Sequence, residues 1–472
     1  MQLFLLWAAV CLCYAPSLSG DFILDDKINI VENRVLRETR AWGELARRPL
    51  AQALGLDPSW REYRPVTALS HAAVHSFGGL NPFWHHLADI AVHAANACLV
   101  FWLAWTLLPA GPGRTAGCWV AAAVFALHPA QAESVSYISS ARPNGLAFLL
   151  AMTSLSLHRA QPPRAWSRFG AGAALFAALC AKETAAAFLL IAAAHDLCFR
   201  RESPLRATLR GWLPLAAAFA LHAALRRWML GGWSQRSPWG AGWADHLSTM
   251  VQGLFQDLAI ALWPSSLRYC YSFQPAGGPA VILGAAALAA LALLAFAALR
   301  RRTLGAFGIL WFAAGLLPVS NLIPLEWAAA NRFLHLPLAG LALAAAALAA
   351  RLPRRAGAWA AAALAGALLL PPCLEQQLAL SDEFSMDLAS RAAAPQDPCT
   401  ALGLSAHYYN WGMLDRAESL ARQALSPQAP PHLREAAAVE MVLIRRRARA
   451  RKARRRGSAS GPGVPGAGRR RS

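Results

Sequence analysis

Long apolar runs broken by short arginine-bearing loops fill the first 375 residues. A membrane-crossing helix needs about 20 apolar residues, fewer where the helix is short or shielded by neighbours. On that measure the pattern predicts spans near 2–19, 84–108, 115–129, 143–158, 168–181, 183–199, 209–228, 280–299, 303–323, 334–350 and 356–373. The first run has no basic residue ahead of it and leads straight into a charged loop, which favours a retained helix over a cleaved signal peptide.

Arginine sets the orientation. Arg114, then Arg159, Arg164 and Arg168, then Arg200, Arg201, Arg206 and Arg210, then Arg300 to Arg302, then Arg351, Arg354 and Arg355 all fall in loops that should face the cytoplasm. Eleven spans with an inside N-terminus satisfy every cluster, provided that 247–264 is a re-entrant or interfacial helix. The loop 20–83, the segment 129–142, the Lys182-Glu183 turn, the loop 229–279, the segment 324–333 and everything after 374 then share the other side. Chemistry is expected there, because the cytoplasmic loops offer little besides arginine.

Composition agrees with a polytopic, all-α membrane protein. Of 472 residues, 56% are hydrophobic and 15% charged, against roughly 25% charged in soluble domains. Mean hydropathy is +0.33. The net charge of +20 is uneven, since twelve basic and no acidic residues lie between Arg445 and Arg471. Clusters in loops explain the remainder, so nucleic acid is not an expected partner. Lysine is rare (Lys27, Lys182 and Lys452), which reads as coding bias. Seven of nine cysteines sit inside apolar runs, and none has zinc-ligand spacing.

After 375 the apolar density drops. Residues 398–425 read as two short helices with Leu404, Tyr408, Gly412, Ala417 and Ala424 at tetratricopeptide spacing, and Asp415 with Glu418 suggests a capping box. The expected organisation is a membrane domain over 1–375 with its first outer loop at 20–83, a helical region over 376–444, and a basic, disordered tail over 445–472.

The outer segments hold the candidate chemistry. Asp25 and Asp26 stand just beyond the first helix, where one carboxylate could serve as general base and either could instead cap the next helix. Tyr63-Arg64-Pro65 opens an amphipathic stretch whose His71, His75, His85 and His86 read as solvated surface histidines in preference to metal ligands. His128, Glu133 and Arg142 follow, then Lys182-Glu183, which alone reads as a charged hairpin tip. Asp196 should pair with Arg200 at i+4. Arg332 stands at an outer membrane edge, placed to hold a lipid phosphate or to snorkel.

In this order the motifs FILDDKINIVEN, YRPVTALSHAAVHSFGGLNPFWHH, HPAQAESVSYISSARPN, LCAKETAAAFLL, SNLIPL and NRFLHLPLAG resemble the transmembrane and tetratricopeptide-repeat O-mannosyltransferases. These are GT-C-type enzymes that use polyprenyl-phosphate sugars. The resemblance covers about 1–375, with the helix pair at 398–425 matching the family's repeat region. It implies a catalytic aspartate at Asp25 with Asp26 beside it. It also implies donor or lipid-phosphate binding by Arg332, Arg142, Lys182 and Arg64, and a site lined by Tyr63, His128, Glu133 and Glu183. The implied partners are a polyprenyl-phosphate sugar (mannose first), an extracytoplasmic protein hydroxyl and the bilayer, with no cofactor required. A lipid or glycan acceptor, or a non-catalytic scaffold, are the competing readings. A bacterial inner membrane is the expected location, with the endoplasmic reticulum the homologous place. The family often carries Arg-Ala-Asp, Ala-Glu-Arg-Tyr and Tyr-Leu-Pro-Ser. This chain has Arg142-Pro143-Asn144, Ala330-Asn331-Arg332-Phe333 and His335-Leu336-Pro337-Leu338 instead.

Overall fold

The computed structural model describes residues 1–37, 42–49, 62–160, 162, 164–200, 204–231, 242–273, 278–352, 355–426, 429 and 431–459. Among them there are helices and turns and no strand. In chain order the helices are α1 (Gln2–Cys13), α2 (Trp42–Arg47), α3 (Pro65–Gly78), α4 (Pro82–Leu107), α5 (Arg114–Leu127), α6 (Glu133–Ser136) and α7 (Ile138–His158). Then come α8 (Ala165–Ala181), α9 (Ala187–Phe199), α10 (Leu205–Leu230), α11 (Trp243–Leu262), α12 (Pro279–Ala298) and α13 (Leu304–Leu316). The chain continues as α14 (His335–Ala349), α15 (Arg355–Ala379), α16 (Glu383–Ala393), α17 (Pro398–Asn410), α18 (Leu414–Ala424) and α19 (Pro431–Ala459).

Contacts divide the chain into one unit from Met1 to Ala389 and a second from Ser390 to Ser472. In the first, α5 sits at the middle, packed by α4, α14 and α15, while α13 lies along α14 and α7 along α8. Phe125, Phe148, Phe307 and Trp311 are fully buried there. By length and composition, α4, α12, α15 and the segment Asn331–Ala349 can each cross a membrane. The helix α12 is apolar all round yet exposes Ile282, Leu283, Leu293 and Phe296. Only an apolar solvent satisfies such a surface, so this is a membrane protein. The 247–264 stretch is the amphipathic α11.

Small residues allow the tightest contact. A Cβ added to Gly308 would lie 2.5 Å from the Gly340 carbonyl oxygen and 2.7 Å from the Ala344 nitrogen, so α13 and α14 touch backbone to backbone. At the far end of α9, Asp196 does meet Arg200 (3.6 Å), and it also accepts from His158 Nε2 at 3.0 Å and Trp212 Nε1 at 3.1 Å.

In the second unit, α17 and α18 form an antiparallel pair around a left-handed Gly412 (φ 76°). The helix α19 packs Met441 and Ile444 against Leu414, Ala417 and Ala421. The capping box is absent: Met413 is the N-cap of α18, and Glu418 pairs with Arg422 at 2.6 Å. The basic stretch, expected to be disordered from 445, is helical through Ala459; its remainder, 460–472, lies outside the described residues.

Substituting Gly340→Leu should force α13 and α14 apart and cost about 1–3 kcal/mol or more. Thermal unfolding of the detergent-solubilised protein checks this, and an unshifted midpoint would disprove the close approach.

Candidate active site

After α1 the chain runs to Leu24, which adopts a left-handed backbone (φ 48°). A branched residue in that region stores on the order of 1–3 kcal/mol and persists only where neighbours fix it. Here Glu383 fixes it: its Oε1 accepts from the Leu24 backbone N–H and from Lys27 Nζ, both at 2.8 Å. Ser381 adds a hydrogen bond, its carbonyl accepting from Asp21 N–H at 2.8 Å.

The turn sends the two acids apart. Asp26 is wholly buried; its Oδ1 accepts from Ser139 N–H at 2.6 Å and its Oδ2 from Ile23 N–H at 3.2 Å. It therefore ties the loop to the start of α7 and does not cap the following turn. Burial, partly offset by these hydrogen bonds, pushes the Asp26 carboxyl up to about 7. Asp25 is exposed and makes no hydrogen bond or ion pair among the described residues.

Three of the four expected cations gather. Arg64 donates to Glu183 from Nε (3.1 Å) and Nη2 (2.8 Å), and its Nη1 lies 2.9 Å from Glu62. Arg226 also approaches Glu183 at 3.8 Å. These cations hold the Glu183 carboxylate well below its ordinary range despite burial. Arg332 pairs with Glu133, itself 2% exposed at the side chain, through Nη1 and through its backbone N–H (3.3 Å).

Lys182 immediately precedes Glu183 at the start of the same turn. Its ammonium donates to Asn144 Oδ1 at 2.7 Å, a neutral partner. Burial first, then the positive field of Arg64, opposed by Glu183 and reinforced by Arg332, pushes Lys182 down to about 7. Arg142 stands apart. It is 2% exposed and pairs with Asp89 inside α4, with further hydrogen bonds to the Ser70 and His85 carbonyls at 3.2 Å. A guanidinium so enclosed braces α4 against α7 and presents nothing to a ligand.

Two tyrosines missed in the sequence join acid to cations. The rings of Tyr137 and Tyr269 meet edge to face at 6.4 Å. The Arg332 guanidinium lies 6.0 Å from Tyr269, 5.7 Å from Trp327 and 5.8 Å from Phe333, within cation–π range. Burial raises the Tyr269 hydroxyl, with Arg332 opposing and Asp25 adding to the rise. No sequence signal marks Tyr269, which sits in an irregular loop. Asp89 was visible as an acid inside an apolar run.

One expectation needs correction, and the remaining candidates find places of their own. His71, His85 and His86 are buried, not solvated, because α3 packs on α4. Tyr63 is buried at 4% exposure. His128 Nδ1 accepts from the Ala130 N–H at 3.2 Å and shapes its own turn. At the family departures, Asn331 accepts from the Tyr271 hydroxyl (2.7 Å) and donates to the Arg268 carbonyl (2.9 Å), while His335 Nδ1 meets Gln131 Oε1 at 2.7 Å.

No family model and no solved structure matches this chain. Curated proteins do. Over 190 residues it is 32% identical to Protein O-mannosyl-transferase Tmtc1 of Drosophila melanogaster, covering 39% of this chain and 21% of that protein. It is 30% identical over 191 residues to Protein O-mannosyl-transferase TMTC2 of Homo sapiens, covering 39% and 22%. Human TMTC1 is 33% identical over 149 residues, 31% and 16% of the two chains. This stretch is homologous to the TMTC protein O-mannosyl-transferases. The match spans about a fifth of the length of those relatives.

Lys182 is the informative residue, since its ammonium rests on a neutral amide at Asn144. Asn144→Asp should raise the Lys182 pKa by a unit or more by supplying an opposite charge. With three lysines in the chain, pH-dependent reductive methylation read by mass spectrometry follows it directly. A reactivity midpoint near 7 in the native protein and a higher one in the variant are expected; identical midpoints would count against the pairing.

Proposed function

We propose that this protein moves a sugar, mannose first, from a polyprenyl-phosphate carrier to a serine or threonine hydroxyl of an extracytoplasmic protein. Asp25 takes the proton of the acceptor hydroxyl as that oxygen bonds to the anomeric carbon. The bond from that carbon to the phosphate oxygen breaks, and the electron pair leaves on the polyprenyl phosphate. Attack from the opposite face inverts the anomeric centre. Arg332, Arg64 and Lys182 stabilise the phosphate as its charge grows, which is the larger electrostatic contribution in such reactions.

The observation that supports this most is the gathering of Arg64, Lys182 and Arg332 about one region, with the unpaired Asp25 acting on Arg64 and on the same tyrosines as Arg332. The relatives' names supply the reaction class. Arg142 drops out of the donor-binding set, because its side chain is 2% exposed where those of Arg332 and Arg64 are 13% and 18% exposed. We read the membrane unit as an eleven-span GT-C-type domain with this region on its non-cytoplasmic face, and the helix pair α17–α18 as a tetratricopeptide-like unit. The membrane is a bacterial inner membrane, with the endoplasmic reticulum as the alternative.

Losing the general base should slow transfer by about 10²–10⁴-fold. Asp25→Asn, expressed in cells lacking the native gene, should therefore abolish O-linked hexose on extracytoplasmic proteins by glycan mass spectrometry, at unchanged protein level. Unaltered glycans would reject the catalytic role, and unaltered cellular function without any glycan change would favour a scaffold.

A further inference from the structure

The helix α19 carries two sets of cations with different work. On its inner side it buries Met441 and Ile444 against α18. Arg447 and Arg451 fasten it to the turn between α17 and α18, donating to the Tyr409 and Gly412 carbonyls at 2.5 and 3.4 Å. The Arg447 guanidinium also lies 4.9 Å from the Tyr409 ring. Arg445, Arg446, Arg449 and Lys452 are exposed, and none of them makes a hydrogen bond or ion pair among the described residues.

Arg445, Arg449 and Lys452 stand at i, i+4 and i+7 and so share one face, with Arg446 at its edge. Like charges at that spacing weaken a helix, and neighbouring acids normally relieve them. Along this helix none follows: the last acid is Glu440, whose carboxylate accepts from the Ser405 hydroxyl at 2.6 Å. A face that keeps its cations unmatched is complementary to a surface of many anions.

Apolar residues decide which surface. Val439, Val442 and Leu443 are 64%, 50% and 43% exposed, one to two turns ahead of the cations on the outer side of the helix. A nucleic acid or an acidic polypeptide would match the charges and leave these aliphatic groups in water. A bilayer accommodates both, because the acyl boundary takes the aliphatic side chains while arginine and lysine reach the phosphates on long stems. A bilayer is also at hand, since the apolar α15 ends at Ala379 and this unit begins at Ser390.

We propose that the outer face of α19, from Val439 to Lys452, docks on a membrane surface of anionic phospholipid. The four cations meet headgroup phosphates, and Val439, Val442 and Leu443 enter the acyl boundary. Each lysine or arginine near such a surface strengthens attachment about five-fold. The docking involves no turnover and stands apart from the transfer reaction.

Hydrogen exchange read by mass spectrometry, on the purified full chain in nanodiscs, tests it with both membrane faces on offer. Amides of 438–453 should exchange about five-fold or more slowly when about a third of a phosphatidylcholine bilayer is replaced by phosphatidylglycerol. Those of 400–410 in α17 should keep their rate. Molar salt, which shortens the screening length to about 3 Å, should remove most of the difference. The triple variant Arg445→Gln, Arg449→Gln, Lys452→Gln should lose it with α17 exchange unchanged, and Val442→Ser should weaken it without touching a charge. Equal exchange in the two bilayers, protection that survives molar salt or the triple variant, or indifference to Val442→Ser would overturn the proposal. Equal protection in the phosphatidylcholine bilayer by added poly-glutamate or an RNA oligonucleotide would overturn it too, since the face would then read charge alone.

Discussion

A charge taken out of water costs several kcal/mol unless a partner of opposite sign meets it, and that cost organises this protein. Its apolar helices leave few places for ions, and the buried guanidinium groups among the described residues are matched: Arg142 with Asp89, Arg332 with Glu133, Arg64 with Glu62 and Glu183. Each match joins segments far apart in sequence. Arg332 and Glu133 bring the start of α14 to α6, and Arg64 and Glu183 bring α3 to the turn after α8. The fold and the candidate site thus share one set of contacts. Lys182 rests instead on a neutral amide, and Asp25 is exposed.

The acidic pair shows how a local backbone choice divides labour. The left-handed Leu24, held by Glu383, turns Asp26 inward onto Ser139 and leaves Asp25 open. Identical side chains one residue apart acquire different settings, one a buried tether and one open to solvent. Glu383 belongs to α16, so the loop after α1 is shaped by a residue some 360 positions later.

Much of this was legible in the sequence and some was not, for identifiable reasons. Apolar runs of 14 to 25 residues located the helices of the membrane unit because lipid leaves no cheaper backbone solution. The arginine, lysine and acidic candidates were visible because charge at the edge of such runs is costly without purpose. What periodicity could not show was which charges find each other: Arg142 reads like Arg332 in sequence, but only the packing of α7 on α4 seals it against Asp89. The histidines of α3 misled because alternating polarity looks the same on a membrane surface and in a polar helix–helix seam. Tyr269 carried no pattern at all. The amides of Asn144 and Asn331 find hydrogen bonds locally, to Lys182 and Ser140 and to Tyr271 and the Arg268 carbonyl.

The central claim is that Arg332 is a phosphate-binding cation held in check by Glu133. Binding of polyprenyl phosphate to the purified protein, followed by native mass spectrometry at fixed ionic strength, addresses it most directly. The account predicts opposite shifts: weaker binding, by about ten-fold or more, in Arg332→Gln, and tighter binding in Glu133→Gln, where the guanidinium is released from its partner. Equal affinity across wild type and both variants would contradict it.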